Sequence, residues 1–255
     1  MFMIKLTRCI GERKRGTTKN LRRPKPQGTT IESSTTPVDF SDLDKHPIFG
    51  PSSGKARRVI QGLEAVVHAE FALGSPRTDM LLGLTRLNIL RALNTNIDIL
   101  GYDGADLLND NALSSFSLTR PINVDWESRE AQLPPALRPT HIQRTVPHHP
   151  WLDLFPIPGM RDIMILAEDT YDDERLCHDM LGDRFSRLDF EGKTGLIVWK
   201  HPWDPTGWEV TPSYMHFWGW TVRGCWDLFS STNAWRAKRG EKALFKLPEE
   251  SNGHK

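Results

Sequence analysis

The side chains best suited to chemistry in this 255-residue chain are its tryptophans, eight of nine of which fall between Trp151 and Trp235. In His201-Pro202-Trp203-Asp204-Pro205-Thr206-Gly207-Trp208 two indoles bracket a turn that prolines make rigid. Aromatic walls fixed in this way line ligand pockets, and they serve equally as the apolar plug beneath a loop. Trp203, Trp208 and Trp220, with Asp204 or Arg223 as the polar contact, therefore form a candidate ligand or partner surface.

The other reactive types are less well arranged. Asp169, Asp172, Asp173 and Glu174 could in principle pair as acid and base, but such a run suits the start of a helix, where negative charge meets the positive dipole end. His148 and His149 are adjacent and cannot face one ion without distortion, and Cys177-His178 lacks the paired short spacings of a zinc site. No G-x-S-x-G, P-loop, dinucleotide fingerprint or H-E-x-x-H occurs. The expectation is a protein with no catalytic residues, no metal and no cofactor. Three widely spaced cysteines, Cys9, Cys177 and Cys225, are too few and odd in number for a disulfide scaffold and fit a reducing interior.

The elements that must position these residues read as helices. Val59–Leu73 has mixed three- and four-residue apolar spacing. Ser75-Pro76 caps a second helix that runs to Leu100 and stops at Gly101. Its apolar arc (Leu82, Ile89, Leu90, Leu93, Ile97, Leu100) is broad enough to be buried against more than one neighbour, with Arg91, Asn94, Thr95 and Asp98 opposite. The heptad run lasts under three repeats and carries Arg86 on a seam position, so a leucine zipper is disfavoured. Residues 102–118 read as a weak helical piece and coil. Residues 119–150, punctuated by prolines, should wrap over the surface. Pro158 to Leu181 holds one or two helices, and Gly195–Trp199 is the single strand-like run.

Thr211-Pro212 opens a helix whose face collects Tyr214, Phe217, Trp218, Thr221, Val222, Cys225, Leu228 and Phe229, with Cys225 as packing. His216, Arg223 and Asp227 share the other face with Trp220, which another segment should cover, and Arg223 can pair with Asp227 four residues on. Ser231, Thr232 and Asn233 offer caps for a last basic helix around Trp235 to Arg239. Prolines 147, 150 and 156 should hold an extended strap anchored by Trp151, Leu152, Leu154 and Phe155. On that reading Asp153 matters little unless it is buried against an arginine such as Arg161.

Charge divides the chain. Residues 1–30 hold nine Lys/Arg and one acid, leaving 24 bases and 31 acids elsewhere, so an arm of +8 precedes a body of −7. Two clusters, Arg13-Lys14-Arg15 and Arg22-Arg23-Pro24-Lys25, suit nuclear import or weak, non-specific nucleic-acid contact through the arm; a solvated tail and a presequence-like arm are the other readings. From Gly28 to Gly54 the composition is that of a linker. The expected organisation is a disordered basic arm and linker over 1–55, one irregular, mainly α domain with long proline-rich connections over 56–245, and a disordered tail over 246–255. No apolar run reaches the length of a spanning helix, so no membrane is expected.

Several strings together resemble a fungal family of unknown function that commonly lies C-terminal to the bZIP region of fungal bZIP-type transcription factors. They are Leu84-Thr85-Arg86-Leu87-Asn88-Ile89-Leu90-Arg91-Ala92-Leu93, Leu137-Arg138-Pro139-Thr140, and Val146-Pro147-His148-His149-Pro150-Trp151-Leu152-Asp153-Leu154-Phe155-Pro156. Gly195–Trp199 with Pro202–Pro205, Trp208-Glu209-Val210, Trp218-Gly219-Trp220, Ser231–Asn233 and Trp235-Arg236 complete the set. The resemblance implies a helical regulatory or ligand-sensing module, located in the nucleus (or, alternatively, the cytoplasm), with protein partners that include a bZIP-type factor. Residues 1–55 break at Gly11, Gly16, Pro24 and Pro26 and carry no recognisable bZIP basic helix. The leading expectation is a non-enzymatic, transcription-associated regulatory or interaction domain. The alternative is a small-molecule-binding protein or enzyme with a tryptophan-lined pocket.

Overall fold

Thr78–Leu100 forms the longest helix, α1, and Gly101 ends it with a left-handed φ of 72°. This is seen in a computed structural model that describes residues 78–103, 107, 109–117, 126–182 and 194–248, together with Arg58, Gln61, Gly62 and Ala65. Those four positions are helical and exposed; the remainder of Val59–Leu73, the Ser75-Pro76 cap, and the arm with both basic clusters lie outside the described residues. The other helices are α2 (Trp126–Gln132), α3 (His141–Thr145), α4 (Pro158–Ala167), α5 (Asp173–Leu181), α6 (Pro212–Trp218) and α7 (Trp226–Lys238). Strands β1 (Leu196–Val198) and β2 (Trp208–Val210) pair antiparallel, Leu196 opposite Val210 and Val198 opposite Trp208. The protein is mainly α. No helix among the described residues is long and apolar enough to cross a membrane.

The broad apolar arc of α1 is covered from several sides, by β1, by the 3₁₀ turn Pro150–Leu154 and by α5. Leu87, Ile89 and Leu90 are fully buried, while Arg91 and Asp98 stay exposed. Asn94, expected on the polar side, is buried as well, and its side-chain amide donates to Leu90 O at 3.0 Å. Local caps begin and end the later helices. Asp172 accepts the Arg175 N–H ahead of Asp173 and Glu174 on α5, Gly182 closes that helix in the left-handed region, and Thr211 accepts the Tyr214 N–H ahead of Pro212.

Four expectations need correction. The helix opening at Thr211 does not run on to Phe229: it becomes a 3₁₀ turn at Gly219–Val222 and breaks at Gly224, whose φ of 74° is outside the helical region. Its apolar set still faces inward, except Phe217, which is 41% exposed. The break also puts Arg223 and Asp227 in different segments, so they do not form a helical pair. Ser231, Thr232 and Asn233 cap nothing; they sit inside α7. There the Ser231 hydroxyl donates to Trp208 O (2.6 Å), the Thr232 hydroxyl accepts from Val210 N (3.1 Å), and Asn233 accepts from Leu244 N and Phe245 N. Side-chain hydroxyls thereby satisfy the outer edge of a strand that has a partner on one side alone. Residues 126–150, finally, are more than a surface wrap, since Leu137, Gln143 and His148 are buried.

The fourth correction is the segment 147–156. It makes a 3₁₀ turn over Pro150–Leu154 instead of staying extended, and residues 150–156 are buried while Pro147 is exposed. Trp151 meets Phe155 edge-on at 5.7 Å, and Phe155 meets Trp208 at 6.2 Å, so the anchors lead into the centre of the core. Trp151→Ala should lower stability by about 3–5 kcal/mol through the lost area and the cavity. A thermal melt of the variant beside the parent measures it, and an unchanged midpoint would sink the anchoring role.

Candidate functional site

Acid–base chemistry converges at one place, around Asp153. The capping box of α3 begins it: Thr140 Oγ1 accepts the Gln143 N–H at 3.1 Å while Gln143 Oε1 accepts the Thr140 N–H at 3.0 Å. The fully buried Gln143 then relays in two directions, donating from Nε2 to Asp153 Oδ1 (2.5 Å) and accepting from Arg161 Nε (2.9 Å). Asp153 also accepts from Tyr102 Oη (2.5 Å), Ser114 Oγ (2.7 Å) and His148 Nε2 (2.9 Å). The far nitrogen of His148, Nδ1, lies 2.8 Å from Val146 O. Arg161, on the inner face of α4, donates to Ala136 O, Phe155 O and Arg138 O at 2.6–2.8 Å.

Serine, histidine and aspartate are thus neighbours, yet they do not form a nucleophile–base pair, because serine and histidine both donate to the aspartate instead of one to the other. Asp153 and Arg161 are fully buried, so no substrate reaches them. Burial, and secondarily the charge of Asp153, push the Tyr102 hydroxyl far above its ordinary range; burial pulls Arg161 down to about 10 against the pull of Asp153. This cluster is a structural lock.

His149 is held differently from its neighbour. Its Nδ1 accepts the Trp151 N–H at 3.2 Å, capping the 3₁₀ turn, and its Nε2 donates to Asn109 O at 3.1 Å. That is the neutral ring, and burial, the largest cause, lowers its pKa despite the bond to Asn109.

The accessible site lies where α1 meets the loop between β1 and β2, next to the Pro150–Leu154 turn, since Asn96 Nδ2 donates to both Leu154 O (2.8 Å) and Pro202 O (3.0 Å). An open groove of about 610 Å³ is lined by Asn88, Arg91, Ala92 and Thr95 of α1 and by residues 198–204. Trp203, half-buried, stacks on His201 (4.9 Å, 18°), and Asp204 Oδ1 accepts the Thr206 N–H at 2.9 Å to hold the turn. Of the five residues of the candidate surface, these two line the groove and three do not. Trp208 is fully buried, its indole N–H donating to Pro202 O at 3.0 Å, the carbonyl that Asn96 Nδ2 also reaches at 3.0 Å. Trp220 packs edge-on against Tyr171 (5.2 Å), which supplies the expected cover. Arg223 is exposed beside the helix break. Asn88, Arg91, Lys200 and His201 were outside the candidate set; no motif marks them, and a scan of the solvent face of α1 is what could have found the first two.

A second aromatic unit supports the loop. Trp199 stacks on Trp235 (5.4 Å, 21°), with Arg239 over Trp199 and Lys238 over Trp235. The Trp199 N–H donates to Glu209 (2.8 Å), a buried carboxylate that Arg239 holds with two bonds of 2.6 and 2.9 Å. Cys225 and Cys177 are buried free thiols, and burial pushes Cys225 up to about 11, which suits packing. No group of three or more His, Cys, Asp and Glu side chains that could hold a metal occurs among the described residues.

Two outcomes follow. Asp153→Ala removes four acceptor contacts and strands Arg161 in the interior, so denaturant unfolding should report a loss of about 3–5 kcal/mol. For His149, the folded pKa is the lower one, so the unfolded chain binds the extra proton and stability falls as pH drops through about 6.5. Unfolding at pH 7.5 and 5.5 should therefore show a smaller acid loss in His149→Asn, which keeps a capping side chain without the titrating ring; identical losses would refute the assignment.

No curated protein and no solved structure matches the chain. Residues 120–229, which carry Asp153 with Gln143, His148 and Arg161 but not Tyr102 or Ser114, the loop with Trp203 and Asp204, and the start of α7, match an uncharacterised family described as "Domain of unknown function (DUF3425)".

Proposed function

We propose that this chain is a non-enzymatic regulatory domain of the transcription-associated kind implied by its resemblance to the bZIP-linked fungal family, with the Trp203–Asp204 groove as its recognition site. One observation carries the reading: the Ser114–His148–Asp153 cluster is sealed in the interior, while the open groove offers hydrogen-bond donors and aromatic walls with no hydroxyl or thiol hydrogen-bonded to a base. Such a surface binds without reacting. Nuclear entry would rest on Arg13-Lys14-Arg15 and Arg22-Arg23-Pro24-Lys25, and any nucleic-acid contact on the same arm, weak and steeply salt-dependent. A bZIP-type factor is the partner that the resemblance favours. The second reading, a small-molecule-binding protein or an enzyme with a tryptophan-lined pocket, draws support from the size of the groove and from Trp203 in its wall.

Tagging the full chain in its native cell tests the first reading. The expected result is nuclear residence with a bZIP-type factor co-purifying, and cytosolic residence after deletion of residues 1–30. Gel-shift signal, if present, should vanish with the same deletion. Cytosolic residence of the intact chain with no bZIP factor would overturn the regulatory reading in favour of the second.

A further inference from the structure

We infer that the groove takes a small planar ligand that carries an oxyanion, a carboxylate or a phosphate. The inference rests on the reading of the groove as the recognition site and names what it recognises. Four side chains with N–H groups line it: the Asn88 amide, the Lys200 ammonium, the His201 ring and the Trp203 indole. None of the four makes a side-chain hydrogen bond or ion pair among the described residues. Lys200 has only a ring contact, 5.8 Å from Trp235, and His201 and Trp203 touch each other by stacking. Elsewhere on the same loop the polar groups are spoken for: Trp199 Nε1 by Glu209, Trp208 Nε1 by Pro202 O, Asp204 by the Thr206 N–H. Donors without acceptors therefore collect on the side that faces the groove.

Charge points the same way. Lys200 brings a permanent positive charge with no ion-pair partner among the described residues, and Asp204 is the single carboxylate in the lining, its Oδ1 already engaged in its turn. A protein whose body is net negative outside residues 1–30 thus keeps a donor-rich hollow with Lys200 in its lining, which suits a carboxylate or phosphate. Apart from Thr95, whose hydroxyl donates to Arg91 O, the rest of the lining is apolar (Trp199, Pro202, Val198 and Ala92), and the Trp199 and Trp203 rings are its flat walls. A volume of about 610 Å³ admits a mononucleotide or an aromatic acid. The loop that presents these groups is fixed from behind by Asn96 and Trp208 on Pro202 O, so the hollow is formed before any ligand arrives.

Calorimetric titration of the full chain with five probes tests this: adenosine 5′-monophosphate, adenosine, 1-naphthoate, 1-naphthalenemethanol and inorganic phosphate. At least one ring-bearing anion should bind at least tenfold more tightly than its neutral counterpart and than inorganic phosphate. Which of the two anions wins separates phosphate from carboxylate. Lys200→Met and Trp203→Leu should each weaken that binding at least tenfold, and Lys246→Met, on the exposed C-terminal segment outside the groove, should leave it unchanged; thermal melts confirm that all three variants fold. Neutral probes that bind as tightly as the anions, with no effect of Lys200→Met, would overturn the oxyanion and leave the groove as a recognition site. Inorganic phosphate binding as well as the nucleotide and indifferent to Trp203→Leu would overturn the planar ring. No heat with any probe at millimolar concentration would overturn the inference together with the groove as a small-ligand site.

Discussion

A carboxylate removed from water holds this protein together. Asp153 has no solvent exposure, and its two oxygens accept from Tyr102, Ser114, Gln143 and His148, with Arg161 one side chain away through Gln143. A charge in that position is tolerable only with its full set of donors, so the segments that supply them must all be present at once. They are the turn after α1, the coil at 114, α3, the Pro150–Leu154 turn and, through Arg161, α4. Arg161 then reaches three carbonyls of the proline-rich connections, which have no ladder of their own to satisfy them. Charge and side-chain amides do here what regular backbone pairing does in a more repetitive fold.

The hairpin half is assembled by a different device with the same economy of regular structure. Two three-residue strands could not stand alone. Their outer edge is satisfied by Ser231 and Thr232 of α7, and the adjoining carboxylate, Glu209, is clamped by Arg239 from the end of that helix. The Trp199–Trp235 stack closes the same contact from outside. Because α7 grips β2 and the connecting loop, and α1 grips that loop through Asn96, residues 199–204 are presented rigidly although they have no secondary structure. Positioning of the groove is thus a property of α1 and α7 more than of the loop.

What could be read in advance was what is encoded locally. The acidic helix start at 172–174, the cap at Thr211, the stop at Gly101, the strand at 196–198 and the apolar arc of α1 all declare themselves within a few residues, and each appears where expected. The anchors at Trp151 and Phe155 were legible because prolines frame them. The lock was not, since an aspartate shows no sign of burial until partners 51 and 39 residues away are brought to it. The same holds for Ser231 and Thr232, whose hydroxyls look like caps until a strand edge lies beside them. Gly224 misled for the opposite reason: a glycine within an apolar periodic pattern is compatible with a helix, and only its left-handed backbone reveals the break. Of the candidate site, Trp203 and Asp204 were legible from a proline-framed turn, whereas nothing local shows that Trp208 is buried, that Trp220 packs on Tyr171 or that Arg223 stands exposed beside the break.

The saturation of Asp153 also constrains how this protein can change over evolutionary time. A carboxylate with a spare lone pair tolerates loss of one donor, because water or a neighbour replaces it. Here the site has no exposure to admit water, and each donor belongs to a different stretch of chain. Single substitutions at Tyr102, Ser114, Gln143, His148 or Arg161 therefore step into a fitness valley that a second, matching substitution must cross. Drift should be free on the exposed flanks of the proline-rich connections and strongly epistatic at these few positions, which would be exchanged as a group when they are exchanged at all.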